Sequence, residues 1–136
     1  MKIEDTYRLV DRYIKNVLTG KRQAGELEIL AVKRHVTDMK NIGKSGYVFD
    51  QNAVRRAFMF FNLLKHSKGE FAGEQFELAD WQAFIVYCLF GWKRDDGTRR
   101  FRYAYVEVAR KNGKTTFAAA ISLYMMTTDK EEGAEV

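Results

Sequence analysis

The sequence contains no proline among its 136 residues, although average usage of ~5% would give about seven. Proline interrupts helices because it lacks a backbone N–H and clashes with the preceding turn. Its absence therefore favours long helices over loops punctuated by proline. Apolar residues make up 46% of the chain, which is enough to form a hydrophobic core and argues against wholesale disorder.

Apolar residues recur at steps of three and four through the first half, as on one face of an amphipathic helix. The spacing predicts helices over residues 4–19, 25–42 and 51–66, with Gly20 ending the first and Asp50 capping the third. These helices make up a predicted N-terminal helical region, residues 1–70, with a scaffold or partner-docking role. The longest apolar run, residues 83–90, is eight residues long, far short of the ~20 that span a bilayer.

The second half alternates between element types. A helix is predicted over residues 80–92, a turn at Asp95-Asp96-Gly97, a strand over 101–108, a helix over 115–127 and a possible strand over 134–136. A strand, a short polar loop and a helix in this order are typical of a parallel sheet with crossover helices. The predicted fold class is helix-rich α/β.

Basic residues are concentrated in one segment. Eight bases and three acids lie between Lys93 and Lys114, and this difference equals the whole formal net charge of +5. The segment is therefore expected to face anions. The single cysteine, Cys88, excludes an internal disulfide, and His35 and His66 are too far apart in sequence to indicate a metal pair. The single cysteine is compatible with a reducing cytoplasm.

The loop after the predicted strand resembles a phosphate-binding loop. Gly113-Lys114-Thr115 fits the end of the G-x-x-x-x-G-K-[ST] pattern, while Val108 stands where the first glycine would fall. A phosphate cradle needs converging N–H groups at a helix N-terminus, and glycine allows close approach of the backbone. We therefore predict that residues 71–136 contain the start of a P-loop NTPase fold, preceded by the N-terminal helical region.

Each residue of this loop has a predicted role. Lys114 would reach the β- and γ-phosphates, and the Thr115 hydroxyl would bind Mg²⁺. Thr116 would support binding on the side of the α- and β-phosphates. Arg110 and Lys111 add positive charge near the same anion. Lys114 and Arg110 are therefore the candidate catalytic residues.

The run from Arg99 to Ala120, and above all Ala109-Arg110-Lys111-Asn112-Gly113-Lys114-Thr115, resembles the ATPase motor of phage large terminase subunits. That family lacks the first glycine of the loop and includes the asparagine, here Asn112. Trp81-Gln82 is similar to its adenine-contacting motif, although Asp80 stands where many members have proline. The resemblance covers residues 76–136. An interfacial tryptophan and a surface amide are the alternative interpretation of Trp81 and Gln82.

The resemblance implies ATP and Mg²⁺ as cofactors and double-stranded DNA as the substrate of a packaging motor. It also implies a small terminase subunit and a portal as partners, a homo-oligomer in the parent protein, and the host cytoplasm as location. A nuclease domain follows the motor in such proteins.

Hydrolysis by this fold needs a second carboxylate motif at the end of an apolar strand. Only 22 residues follow Lys114, and none of their acids ends such a strand. The chain is therefore expected to be an N-terminal piece of a larger protein, either a cloned fragment or a truncated gene. It is expected neither to turn over ATP efficiently alone nor to cut DNA.

Three alternatives stay open at this point. The chain could be part of a helicase-like or other P-loop ATPase. It could be a non-enzymatic DNA-binding module that uses the basic segment, with Tyr103 or Tyr105 stacking on bases and four arginines on phosphates: Arg94, Arg99, Arg100 and Arg102. It could also be a scaffold in which Lys114 has no function. An interior position for the 101–108 strand would argue against DNA binding, since its aromatic residues would then belong to the core.

Overall fold

The computed structural model describes residues 3–66, 77–108 and 114–127, with the backbone alone described at 66, 114, 115 and 127. These residues form five helices and two short strands. In chain order the elements are α1 (Ile3–Leu18), α2 (Glu26–Lys40), β1 (Tyr47–Phe49), α3 (Gln51–His66), α4 (Asp80–Gly91), β2 (Trp92–Arg94) and α5 (Lys114–Thr127). The five predicted helices are confirmed, and the helix-rich character of the fold with them.

Helix boundaries follow the local signals in the sequence. Gly20 follows α1 with a φ of 76°, a left-handed conformation that glycine adopts without steric cost. Asp50 precedes α3, and its Oδ1 accepts a hydrogen bond of 3.0 Å from the N–H of Ala53. Both predicted signals are confirmed.

Helix α4 lies at the centre of the core. It packs against α1 and α3, and its own sequence is apolar on nearly every side, as expected for a helix with several neighbours. The buried residues of the core come from α1 (Val10, Tyr13, Val17), α2 (Val32), α3 (Val54, Ala57, Phe58, Phe61), α4 (Ala83, Phe84, Val86, Phe90) and α5 (Phe117, Ala120, Tyr124). The N-terminal helices and α4 therefore share one core.

Strands β1 and β2 form a two-stranded antiparallel sheet that the sequence did not predict. Tyr47 pairs with Arg94, Val48 with Lys93 and Phe49 with Trp92. The chain then turns at residues 94–98, where the Gly97 N–H donates to the Arg94 carbonyl at 2.9 Å. Gly97 has a φ of 87°, so the predicted turn is confirmed.

The strand predicted over residues 101–108 is wrong. These residues form no strand ladder, and the Tyr103 and Tyr105 side chains are 92% and 80% exposed. A strand requires a hydrogen-bonded neighbour, and among the described residues the only sheet is the pair of β1 and β2. The aromatic residues are therefore at the surface rather than in an interior strand. The parallel sheet of a P-loop fold stays a prediction.

Helix α5 packs on the helical core through one apolar face. Tyr124 contacts Phe60 and Phe61 of α3 and Phe90 of α4. The predicted connection at 71–75, the phosphate loop at 109–113 and the strand at 134–136 lie outside the described residues. Within the described residues, no helix has both the length and the apolar character needed to cross a membrane.

Candidate nucleotide-binding site

The residues predicted to bind phosphate lie at and before the start of α5. Lys114, Thr115 and Thr116 form its first turn, as the sequence predicts, and Thr116 is half-buried. Arg110, Lys111, Asn112 and Gly113 lie in the loop outside the described residues. The structure therefore gives the position of the helix that follows the predicted loop.

The two residues of the adenine-like motif lie in the first turn of α4. Gln82 is 5% exposed, and its Oε1 accepts a hydrogen bond of 2.8 Å from the N–H of Ala79. Asp80 Oδ1 accepts one of 2.7 Å from the N–H of Trp81. Alanine cannot cap a helix with its own side chain, but Gln82 at the third position satisfies the backbone N–H of Ala79, as the glutamine of a capping box does. Gln82 is thus a buried capping residue and not a surface amide.

Trp81 joins the start of α4 to the start of α5. Its ring meets the Phe117 ring edge-on, with centroids 5.8 Å apart. Near the C-terminal ends of the same two helices, the Phe90 and Tyr124 rings also meet edge-on, with centroids 5.0 Å apart. The two helices therefore run side by side in the same direction, and their N-termini lie at the same end of the molecule. Helix N-termini favour anions, because unpaired N–H groups and the helix dipole are directed there.

A groove of about 720 Å³ begins beside Trp81 and runs between α2 and α4. Ala31, Phe84, Ile85 and Leu89 contribute apolar walls, and residues 103–108 border the groove on one side. Its size lies within the range of about 300–1,000 Å³ that is typical of small-molecule sites. The groove places apolar surface next to the predicted adenine-binding residue.

A polar cluster at the start of α4 involves the N-terminal helices. Arg22, from the α1–α2 connection, lies between two carboxylates: Nε is 3.4 Å from Glu28 Oε2 and Nη1 is 3.5 Å from Asp80 Oδ1. The guanidinium also lies 5.2 Å from the centroid of the Tyr13 ring. The Tyr13 hydroxyl donates to Glu28, and burial together with this bond raises the pKa of Tyr13. No periodic pattern indicates Arg22, since it lies between Gly20 and Gly25, outside the helices.

A second polar cluster connects α2 to β2. The indole N–H of Trp92 donates to His35 Nδ1 at 2.9 Å, and Cys88 Sγ lies 3.7 Å from the same nitrogen. Burial lowers the pKa of His35 to about 4 and raises the pKa of Cys88 to about 12. His35 is thus a neutral structural histidine, and Cys88 is an unreactive thiol at neutral pH.

Arg100 is part of the fold and does not face solvent. Its side chain is 14% exposed, Nη1 lies 2.6 Å from Asp38 Oδ2, and the guanidinium stacks 3.9 Å from the Tyr47 ring centroid. An arginine that is largely buried and paired with a carboxylate is poorly placed to bind a DNA phosphate. These contacts argue against the predicted use of Arg100 in DNA binding.

The comparison with protein families supports the sequence interpretation. Residues 80–134 match the family model described as terminase large subunit, ATPase domain. The match begins at the first residue of α4 and includes all of α5, the two helices whose N-termini lie together. The resemblance predicted from the sequence is thereby confirmed over this part of the chain. Comparisons with curated proteins and with solved structures gave no match.

Proposed function

We propose that this chain, similar over residues 80–134 to the ATPase domain of terminase large subunits, supplies the ATP-binding part of a phage DNA-packaging motor. An ATPase domain implies use of a nucleotide, and the terminase family in general implies DNA and packaging partners. ATP would bind with its adenine at the start of α4 and its phosphates at residues 109–116. In the motor, its hydrolysis would drive movement of double-stranded DNA.

The observation that carries this proposal is the contact between Trp81 and Phe117. Phe117 lies three residues after Lys114, so the contact brings the adenine-like motif to the first turn of the predicted phosphate helix. A nucleotide that joins a base to a triphosphate needs these two features at one end of the molecule. Without that arrangement the two motifs would be separate sequence similarities.

The binding roles follow from the chemistry of the residues. Trp81 and the apolar groove beside it would pack on the adenine ring. Gln82 Oε1 is occupied by the Ala79 N–H, so its Nε2 amide would donate to a ring nitrogen of the base. Lys114 would bind the β- and γ-phosphates, with Arg110 adding charge, and Thr115 would help to hold Mg²⁺.

Titration with Mg²⁺-ATP tests the proposal directly. Lys114→Ala should weaken binding by about tenfold or more, since it removes a charged contact to the phosphates. Lys44→Ala is the matched control, because it removes the same charge from an exposed residue in the turn before β1. Equal ATP affinity of the Lys114→Ala variant and the unmodified chain would contradict the proposal.

A second candidate function is contact with DNA through the segment around Tyr103. The exposure of Tyr103 and Tyr105 favours it, because exposed aromatic rings can stack on bases while neighbouring basic residues, such as Arg102, bind phosphates. DNA binding that falls steeply with salt, survives Lys114→Ala and is lost in a Tyr103→Ala/Tyr105→Ala variant would support this function. Binding that persists in the double tyrosine variant would contradict it.

A further inference from the structure

We propose that Arg22 is a positioning residue for the adenine end of the nucleotide site, which it influences through Asp80. This inference rests on the proposed function and extends it to the N-terminal helices. It assigns to the α1–α2 connection a role in binding ATP that lies outside residues 80–134.

The Asp80 carboxylate contacts both Arg22 and the first turn of α4. One oxygen atom, Oδ1, accepts the hydrogen bond from the Trp81 N–H at 2.7 Å and also lies 3.5 Å from Arg22 Nη1. Any shift of this oxygen towards or away from Arg22 changes its hydrogen bond with the Trp81 N–H in the first turn of α4. Trp81, which contacts Phe117 of α5, moves with that backbone. Arg22 is therefore connected through a single residue, Asp80, to Trp81, whose ring is predicted to bind adenine.

Arg22 is itself held in place by contacts with α1 and α2. Its backbone N–H donates to the Asn16 carbonyl at 3.0 Å, which fixes the chain after α1. Its side chain packs on the Tyr13 ring and lies near Glu28, and Tyr13 is a buried residue of the central core. The guanidinium is thus attached to α1 and α2, while Asp80 belongs to α4.

The side-chain contacts of Arg22 are incomplete. Its distances to the two carboxylates, 3.4 and 3.5 Å, exceed the ~2.7–2.9 Å of a charge-assisted hydrogen bond. Within the described residues, Nε is buried and has no hydrogen-bond partner. A guanidinium placed only for stability would be expected to complete these bonds. This arrangement leaves the contacts able to tighten when a ligand binds at the start of α4.

The test measures binding of two ligands by the full chain: Mg²⁺-ATP, and Mg²⁺ with inorganic tripolyphosphate, which has no base. Arg22→Ala should weaken ATP binding by about three- to tenfold, the scale of a coupling between contacting residues. Tripolyphosphate binding should be unchanged, because the phosphate helix is untouched. Arg12→Ala, which removes the same charge from an exposed residue of α1, should change neither affinity.

A double-mutant cycle with Asp80→Asn tests whether Arg22 acts through Asp80. If Arg22 acts through Asp80, the Arg22→Ala/Asp80→Asn variant should bind ATP no more weakly than the weaker single variant. Additive losses would overturn the inference. Thermal melts establish that each variant is folded. Should Arg22→Ala not melt cooperatively, Arg22→Gln, which removes the charge but keeps a long polar side chain, takes its place with the same expected result.

The outcomes separate this inference from the proposed function. An unmodified chain that binds neither ligand would overturn the proposed function and the inference with it. An unmodified chain that binds both, with Arg22→Ala unaffected or equally weakened for both, would overturn the inference alone. A loss confined to ATP, and absent in Arg12→Ala, would support it.

Discussion

The indole N–H of Trp92 donates a hydrogen bond of 2.9 Å to Nδ1 of His35. An indole nitrogen can only donate, so Nδ1 must be unprotonated and the proton of the neutral ring must be on Nε2. Four aromatic rings surround the imidazole edge-on: Phe49, Phe84, Tyr87 and Trp92. The pair joins α2 to β2 inside the core, and protonation of His35 would break it.

The first prediction is that the chain loses stability as the pH falls from about 6.5 to 4. Burial lowers the pKa of His35 to about 4, with Asp38 opposing that effect, while the unfolded value is about 6.5. The unfolded state therefore binds more protons in this window, and stability rises with pH. The pH-dependent contribution of His35 to the free energy of unfolding, fully present above pH 6.5, should be about 2–3 kcal/mol.

Urea unfolding at pH 7 and pH 4.5 measures this effect. His35→Gln should lose the histidine-dependent part of the pH difference, while His66→Gln should keep it. Carboxylates also titrate in this range, so the comparison between variants isolates His35. The same pH dependence in His35→Gln and in the unmodified chain would show the assignment to be wrong.

The second prediction concerns Gly91, the last residue of α4. A Cβ atom there would lie 2.3 and 2.5 Å from two atoms of the Phe49 ring and 2.9 Å from Val54 Cγ2. Gly91→Ala should therefore destabilise the fold by about 1–3 kcal/mol, because the core cannot accommodate the methyl group. Gly25→Ala is the control, since a Cβ there meets nothing within 4 Å. Denaturant unfolding gives both values. Combining Gly91→Ala with Phe49→Ala should remove the two closest contacts, those with the ring, and additive losses would contradict this explanation.

The helices could be predicted because apolar spacing is a local property. The sheet could not, because Phe49 and Trp92 pair over more than forty positions in sequence and each strand is only three residues long. The hydrogen bond between His35 and Trp92 could not be predicted for the same reason, since these residues are also far apart in sequence. The β-branched and aromatic residues of 101–108 and their partial alternation predict a strand, but the aromatic residues Tyr103 and Tyr105 lie at the surface.

In the candidate site too, local features could be predicted from the sequence and tertiary contacts could not. The positions of Lys114 and Trp81 at the beginnings of helices follow from local signals. The contact of Trp81 with Phe117 and the approach of Arg22 to Asp80 depend on how α1, α4 and α5 pack together. No spacing in the sequence indicates either contact.

The third prediction is that Arg100 contributes to folding and not to DNA binding. Its charge lies 2.6 Å from Asp38, and both side chains are largely buried. Arg100→Ala should cost about 2–4 kcal/mol, because it leaves a carboxylate unpaired and removes packing on Tyr47. Arg102→Ala, at an exposed position, should change stability by less than ~0.5 kcal/mol.

A double-mutant cycle with Asp38→Ala measures the pair. The coupling between Arg100 and Asp38 should be about 1–3 kcal/mol. Zero coupling would mean that the close approach does not stabilise the fold. An Arg100→Ala variant as stable as the unmodified chain would also contradict the prediction.

The fourth prediction is that Tyr124 attaches α5 to the helical core. Its ring contacts Phe60, Phe61 and Phe90, and it is among the buried residues of α5. Tyr124→Ala should destabilise this attachment by about 3–4 kcal/mol through the lost contacts and the cavity. Met126→Ala, at a position that is 70% exposed, should have an effect below ~0.5 kcal/mol.

Hydrogen exchange followed by mass spectrometry resolves where the effect of Tyr124→Ala occurs. Amides of α5 should exchange faster, while those of α1 and α3, which have their own contacts with α4, should keep their protection. Because Lys114 lies at the start of the loosened helix, ATP binding should also weaken, although no group proposed to contact ATP is changed. Uniform loss of protection across all helices would instead mean that α5 and the core unfold as one cooperative unit. Unchanged exchange in α5 would mean that Phe117 and Ala120 suffice to attach it.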